Sequence, residues 1–277
     1  MYDTVRWEEK AIAAAAEKKG VAVTLADAKE LDLDLNSRVS GIKDDVILQR
    51  TVSYFRNVHS TAALEYAGHR VVNNFRTAWV CGNKLFGTLE LIKHGIPTPR
   101  TRLTFTEDSA LEAIGELGYP AVLKPVVGSW GRLSALLRDK DAAEAVLEDR
   151  EYMFPLYQVY YTQEFVKRPP RDIRSFVVGA ETVAAIYRIS GPGVWRTNTA
   201  RGGRAEACPI GKELDELSLK AAEAMGGEIV GVDLMEADGG LMVHEVNNTT
   251  EFKNTVPATG VDIPALIVDY LVSVHKR

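Results

Sequence analysis

The chain has 277 residues, 46% of them hydrophobic and 26% charged, enough for two or three lobes around a sizeable core. A formal net charge of -5 argues against a nucleic-acid binder, which needs a basic face to meet phosphates. Two distant cysteines, Cys81 and Cys208, disfavour a disulfide framework or a zinc site and point to a reducing cytoplasm, and no apolar run is long enough to cross a bilayer.

The opening residues have no signal-peptide core. A helix is expected over about 7–18, with Gly20 placed to end it. Residues 21–25, 45–48 and 69–72 read as strands, the last after a helix near 58–67. Strands alternating with helices suggest an α/β layer with a parallel sheet in this first lobe, 1–76. A linker helix follows at 83–94, closed by Gly95, Pro97 and Pro99. Residues 103–105 form a short strand and 107–117 a helix, with Thr106 as its N-cap. The stretch 119–127 is β-rich, the loop Gly128-Ser129-Trp130-Gly131-Arg132 interrupts it, and 133–137 resumes the extended pattern. A helix over 139–148 and a strand over 158–166 complete the middle lobe, 77–165.

The last lobe, 166–277, opens with a hairpin of 173–178 and 182–189 around Gly179-Ala180-Glu181. A polar segment covers 197–204 and a helix about 212–225. A second hairpin, 229–236 and 241–246, turns through Asp238-Gly239-Gly240, and a helix over about 262–275 ends the chain.

This second hairpin carries a hard-oxygen donor set. Side chains alternate along a strand, so Glu245 and Asn247 share a face, and a symmetric register about Gly239 sets Asp233 opposite Glu245. Magnesium takes a few such donors and completes its shell with phosphate oxygens and water. Alone, the pattern is equally that of a solvated sheet face.

No Walker motif and no Gly-x-Gly-x-x-Gly is present. Lys124 stands inside the apolar run Ala121-Val122-Leu123-Lys124-Pro125, where a buried ammonium needs an anionic partner unless it snorkels from an edge strand. The glycines of the following loop let backbone amides approach an anion, although a plain hairpin turn fits too. Lys84 sits at a helix start, where amides favour anions, or is simply a surface lysine. Arg174, Arg188, Asn198 and Arg201 add donors. As a set these residues supply the charge neutralisation and positioning that phosphoryl transfer needs. There is no Gly-x-Ser-x-Gly elbow, no His-Glu-x-x-His and no triad among five scattered histidines; His244 reads as a structural strand residue.

The strings Pro120 to Arg132, Arg171-Asp172-Ile173-Arg174, Thr197 to Gly203, and Glu245-Val246-Asn247 through Asn254 resemble the ATP-grasp superfamily, and within it the LysX family of amino-group-carrier ligases. The resemblance covers nearly the whole chain. It implies an α/β protein of α+β lobes: an ATP-grasp fold behind a Rossmann-like pre-ATP-grasp domain, here expected to lack its first strand because the chain begins at Tyr2-Asp3. It also implies a lid subdomain at about 103–165. Lys84 and Lys124 would contact ATP, and the loop Gly128, Ser129, Trp130, Gly131, Arg132, Leu133 and Ser134 would close over its phosphates. Gln163, Glu164, Phe165 and Val166 would hold adenine. Arg174, Arg188, Asn198 and Arg201 would bind ATP or an acyl phosphate, the last three at the reacting centre. Asp233, Glu245 and Asn247 would hold two Mg2+ ions. Members of this family activate a carboxylate as its acyl phosphate and let an amine attack it. The implied partners are the small acidic carrier protein LysW and 2-aminoadipate, or glutamate as in a sister branch. Asn254-Thr255 resembles the aminoadipate signature. A cytoplasmic homodimer or homotetramer is implied, with neither nucleic acid nor membrane as partner. The alternatives are a glutamate ligase acting on another protein tail and a non-catalytic nucleotide-binding protein.

Overall fold

The computed structural model describes residues 1–38, 41–43, 46–191, 195 and 204–275. Its strands fall into three sheets. In the first lobe, helix α1 (Trp7–Lys18) precedes strand β1 (Val46–Leu48), helix α2 (Tyr54–Tyr66) and strand β2 (Arg70–Val72). β1 and β2 pair in parallel, Ile47 against Val71, and α2 is the crossover that a parallel pair requires. Ile47, Leu64 and Val71 bury together beneath it.

The strand expected over 21–25 does not form. That stretch is irregular: Val21 packs against the core, but Val23 and Leu25 are exposed and find no face to bury. Regular pairing at the front of the lobe is reduced to one parallel bridge between Tyr2 and Asp27, and Met1 bonds onward to Leu48 and Arg50.

Two helices lead out of the lobe, α3 (Phe75–Cys81) and α4 (Lys84–Lys93). α4 was expected; α3 was not, being only 7 residues long. It is fixed locally, since the Asn74 side chain accepts the Thr77 amide, and Asn83 caps α4 in the same way. The middle lobe runs β3 (Thr101–Thr104), α5 (Glu107–Leu117), β4 (Ala121–Lys124), β5 (Ala135–Leu137), α6 (Lys140–Glu151) and β6 (Tyr160–Glu164). Its strands make an antiparallel sheet in the order β3-β6-β4-β5. α5 and α6 cover one face through Ala110, Ile114, Leu137, Leu147 and Tyr160. Every residue of β4 is buried, Lys124 included. The face opposite the helices, with Val122 and Lys124, borders a cavity.

The last lobe contains β7 (Arg171–Val178), β8 (Glu181–Ile189), β9 (Arg204–Ala207), α7 (Lys212–Met225), β10 (Ile229–Ala237), β11 (Gly240–Asn247), α8 (Thr255–Thr259) and α9 (Ile263–His275). The antiparallel order is β11-β10-β7-β8-β9. β9 was unforeseen because an edge strand with Arg204, Glu206 and Ala207 exposed carries no apolar alternation. Along β7 the sheet's two faces separate. Ile173 and Val177 pack with Val232, Leu234 and the α7 residues Ala221 and Met225. Phe176 and Val178 pack with Ile186 and with Ile12 and Ile267 of α1 and α9. Arg174 and Asp172 extend that second face toward the first lobe, where the apolar packing gives way to a cavity. Among the described residues, no helix is long and apolar enough to cross a membrane, and Cys81 and Cys208 are free thiols.

Candidate active site

A one-residue irregularity sets the acidic face of the second hairpin. β10 and β11 turn tightly, with Ala237 opposite Gly240. Continued unbroken, that register would put His244 opposite Asp233. Instead Leu234 faces Val243 while Asp233 faces Glu245, so His244 is the extra residue of a β-bulge. Beyond it Gly231 faces Asn247. The expected Asp233–Glu245 pairing thus stands, but through a turn one residue tighter than expected, offset by the bulge.

Neighbouring strands bring guanidinium groups onto the same face. Arg174, the register partner of Asp233 on β7, donates from Nε and Nη2 to both Asp233 oxygens at 2.7 Å. Arg188 of β8 reaches the same carboxylate at 3.0 Å and donates to both oxygens of Asp172 at 2.6 and 2.8 Å. Burial alone would raise the Asp233 carboxyl, but Arg174 and Arg188 hold it well below the usual carboxylate range. Burial likewise would depress Arg188, and Asp233 with Asp172 outweighs it. The four charges balance, which makes their burial tolerable and orders two cations for an incoming anion.

Lys124 emerges from β4 into the same space and is buried. Its Nζ donates to Gln163 Oε1 at 2.5 Å and meets His244 Nε2 at 2.5 Å. Burial pushes its ammonium down to about 7, with Glu245 opposing and Lys84 and Arg168 adding to the fall. Burial and the Lys124 charge also depress the His244 imidazole, leaving its Nε2 a neutral acceptor. His244 therefore faces the cavity and holds a lysine there; it does more than support a strand.

Lys84 begins α4 as expected. Its Nζ donates to the Gly128 carbonyl at 2.6 Å and lies 3.8 Å from Glu245, tying the loop to the acidic hairpin. In the loop itself Gly128 and Gly131 have φ of 147° and 62°, while Trp130 and Leu133 take 56°, a region that side chains disfavour. Trp130 and Gly131, two left-handed residues in succession, turn the chain so that the Arg132 amide donates to the Ser129 carbonyl at 3.2 Å. Arg132 stacks on Trp130 at 4.7 Å, and the Leu133 carbonyl accepts a bond from Arg150. Gly128, Ser129, Trp130, Gly131 and Ser134 line the cavity, whereas Arg132 and Leu133 do not.

The cavity encloses about 530 Å³ between the middle and last sheets, within the range of nucleotide-sized sites. Lys84, Lys124, Gln163, Glu164, Phe165, Val166, Arg174, Arg188, Asp233, Glu245 and Asn247 all line it. Gln163 and Glu164 close β6, and Phe165 and Val166 continue past it outside regular structure. A second cavity of about 290 Å³ adjoins it, walled by α1 residues and by Lys253, Asn254 and Thr255, and Arg174 and Arg188 border both. Asn198 and Arg201 lie outside the described residues.

Glu245 and Asn247 offer hard oxygens, and the Asn247 Nδ2 is buried with no hydrogen-bond partner among the described residues, a donor suited to a phosphate oxygen and not to the ion itself. Asp233 could contribute only oxygens already shared with the arginines. Among the described residues no three His, Cys, Asp or Glu side chains can cage a metal unaided. The donor set thus fits a magnesium-type ion that takes much of its shell from phosphate.

Two of these residues had no sequence signal strong enough to name them. His244 reads in sequence as a structural strand residue, and the bulge that brings it to the cavity is not legible there. Asp172 was noticed only within its motif; its pairing with Arg188 needed the β7–β8 register.

The chain is similar to known proteins over both of its matched regions. Residues 1–80 match the LysX preATP-grasp domain and residues 81–271 the RimK-like ATP-grasp domain. The chain is 40% identical over 266 residues to the alpha-aminoadipate–LysW ligase LysX of Saccharolobus solfataricus, covering 95% of this chain and 96% of that one. It is 34% identical to the glutamate–LysW ligase ArgX of Sulfolobus acidocaldarius, over 100% and 98% of the two chains. A RimK domain ATP-grasp protein from Sphaerobacter thermophilus superposes with a TM-score of 0.80 at 26% identity, over 98% of this chain and 97% of that one. Matches to both family domains and 40% identity over 95% of its length show that the chain belongs to the LysX family of ATP-grasp carboxylate–amine ligases.

Proposed function

We propose that this ligase joins the α-amino group of 2-aminoadipate to the side-chain carboxylate of the C-terminal glutamate of a LysW-type carrier, through an acyl phosphate. The observation that carries the reading is the pair of adjoining cavities sharing Arg174 and Arg188. One has phosphate-binding chemistry, and the other has Asn254 and Thr255 in its wall.

ATP would lie with adenine along Gln163, Glu164, Phe165 and Val166 and with its phosphates under the loop 128–134. Lys84 and Lys124 then exchange their protein partners for phosphate oxygens, and Lys124 regains full charge because the anion offsets its burial. Glu245, Asn247 and Asp233 would hold magnesium, two ions in the fuller version of the reading, which supplies charge neutralisation on the transferred phosphoryl group. The carrier's carboxylate oxygen attacks the γ-phosphorus and ADP leaves. Arg188 and Arg174, with Asn198 and Arg201 by family resemblance, steady the acyl phosphate. The deprotonated amine in the second cavity attacks its carbonyl carbon, the amide forms and inorganic phosphate departs. Four cationic and two anionic side chains wall that second cavity: Arg6, Arg174, Arg188 and Lys253 against Glu8 and Glu251. A wall with charges of both signs suits an amino acid.

Glutamate as the amine substrate is the second reading, favoured by the full-length likeness to ArgX. Mass spectrometry of the carrier after incubation with ATP, magnesium and each amino acid separates the two. Gain of one aminoadipate residue supports the proposal, gain of glutamate supports the second reading, and no conjugate with either overturns both.

A further inference from the structure

The segment that leads into Asn254 is held from the other lobe. Glu8, in the first turn of α1, is buried, and its Oε1 accepts the backbone N–H groups of Phe252 and Lys253, both at 3.0 Å, across 244 and 245 positions of sequence. Phe252 is also buried, packs edge-on against Trp7 with ring centroids 6.0 Å apart, and lies under the Arg50 guanidinium at 5.8 Å. Arg6 stands 3.6 Å from Glu251. The Phe252 carbonyl then accepts the amides of Thr255 and Val256 at 2.9 and 3.1 Å, closing the turn that starts α8. A hydrogen-bonded path thus runs from the Glu8 carboxylate through the Phe252 peptide to Thr255. The Asn254 side chain makes no capping bond of its own to α8, so the place of this pair depends on the backbone beneath it.

We infer that Glu8 is a positioning residue for the amine substrate: from the first lobe it fixes the 252–253 backbone and thereby sets Asn254 and Thr255 in the wall of the second cavity. The inference rests on the reading that this cavity receives the amino acid. Glu8 suits the task because a single carboxylate oxygen can accept two converging N–H groups, and charge-assisted bonds to backbone amides are among the stronger ones. Without that acceptor the buried Phe252 amide and the partly buried Lys253 amide would both be unmet, and the turn would shift to hydrate them. Gln keeps a carbonyl oxygen at the same reach; Ala does not, and Asp falls one methylene short.

The test compares E8A, E8Q and E8D with wild type in the full-length chain. The readouts are the KM for the amino acid that wild type uses, that amino acid's Kd by calorimetry, the KM for ATP, and hydrogen exchange at the Phe252 and Lys253 amides. E8A is expected to raise the amino-acid KM and Kd about tenfold or more while ATP KM stays within about twofold, and E8Q to recover most of the loss. Exchange at the two amides accelerates in E8A and not in E8Q. E8D gives the same split, smaller, should E8A fail to fold. Unchanged amino-acid KM and Kd in folded E8A or E8D overturn the inference. So does a parallel rise in both KM values, or an E8Q as impaired as E8A. Calorimetry and exchange need no turnover, so failure there counts against Glu8, whereas failure of wild type to conjugate either amino acid counts against the functional reading.

Discussion

Replacing Lys124 by Met should change stability with a sign and a pH dependence that follow from its burial. In the folded chain the ammonium is lowered from 10.5 to about 7. A base whose folded value is depressed penalises folding wherever the unfolded chain stays protonated. The penalty is full below about pH 7 and vanishes as pH rises to the unfolded value. At about 1.4 kcal/mol per pH unit it reaches about 5 kcal/mol at the acid end. Met removes this cost but deprives Gln163 Oε1 and His244 Nε2 of their donor, returning about 1–3 kcal/mol. K124M should therefore be more stable than wild type by about 1–3 kcal/mol near neutrality, yet bind ATP about a hundredfold more weakly. Urea unfolding of both proteins without nucleotide, at about pH 7.5 and about pH 10, isolates the effect, because other groups cancel in the difference. That difference should move by about 3 kcal/mol toward wild type at the higher pH. A difference that is the same at both pH values would refute the account of Lys124 as a buried, strained cation.

Other expectations follow from the same geometry. E245Q keeps the shape of the Glu245 side chain but removes a hard charged donor. Conjugation should fall by at least about a hundredfold with Tm within about 2 °C of wild type, and an active variant with an unchanged magnesium requirement would take Glu245 out of the metal site. D172N removes the charge facing Arg188 while Asp233, 3.0 Å away, still holds the guanidinium. Chemical denaturation should show a loss of about 2–4 kcal/mol, together with reduced kcat, and a loss under about 0.5 kcal/mol would mean that Asp172 does not secure Arg188. N254A/T255A should shift the ratio of kcat/KM between aminoadipate and glutamate by about tenfold or more, and an unchanged ratio would locate the choice elsewhere.

Much of this protein could be read before it was folded, because the informative residues obey local rules. The helices at 107–117 and 212–225 carry their own apolar stripes and end signals, and the structure forms them as Glu107–Leu117 and Lys212–Met225. Both hairpins announce themselves by apolar alternation around glycine turns. Lys124 stood out because a lysine in an apolar run is costly, and the glycine loop because two glycines bracket Trp130. What local rules missed was weakly patterned: the short helix α3, the exposed edge strand β9, and the irregular 21–25 stretch whose valines and leucine suggested a strand without supplying a partner.

Sequence alone determined the inventory: two lysines, a glycine-containing loop and a set of carboxylates and arginines suited to phosphoryl transfer, since side-chain chemistry and strand periodicity are written residue by residue. Only the tertiary structure decided how they are coupled. The bulge at His244 aligns Asp233 with Glu245 and turns the imidazole onto Lys124. The β7–β8 register gives Arg188 to Asp172 as well as to Asp233. The packing of the first lobe lets Glu8 grip a backbone 244 positions away. These are distances between elements, set by register and by which faces bury together, and a one-residue slip would change every one of them without altering a single local signal.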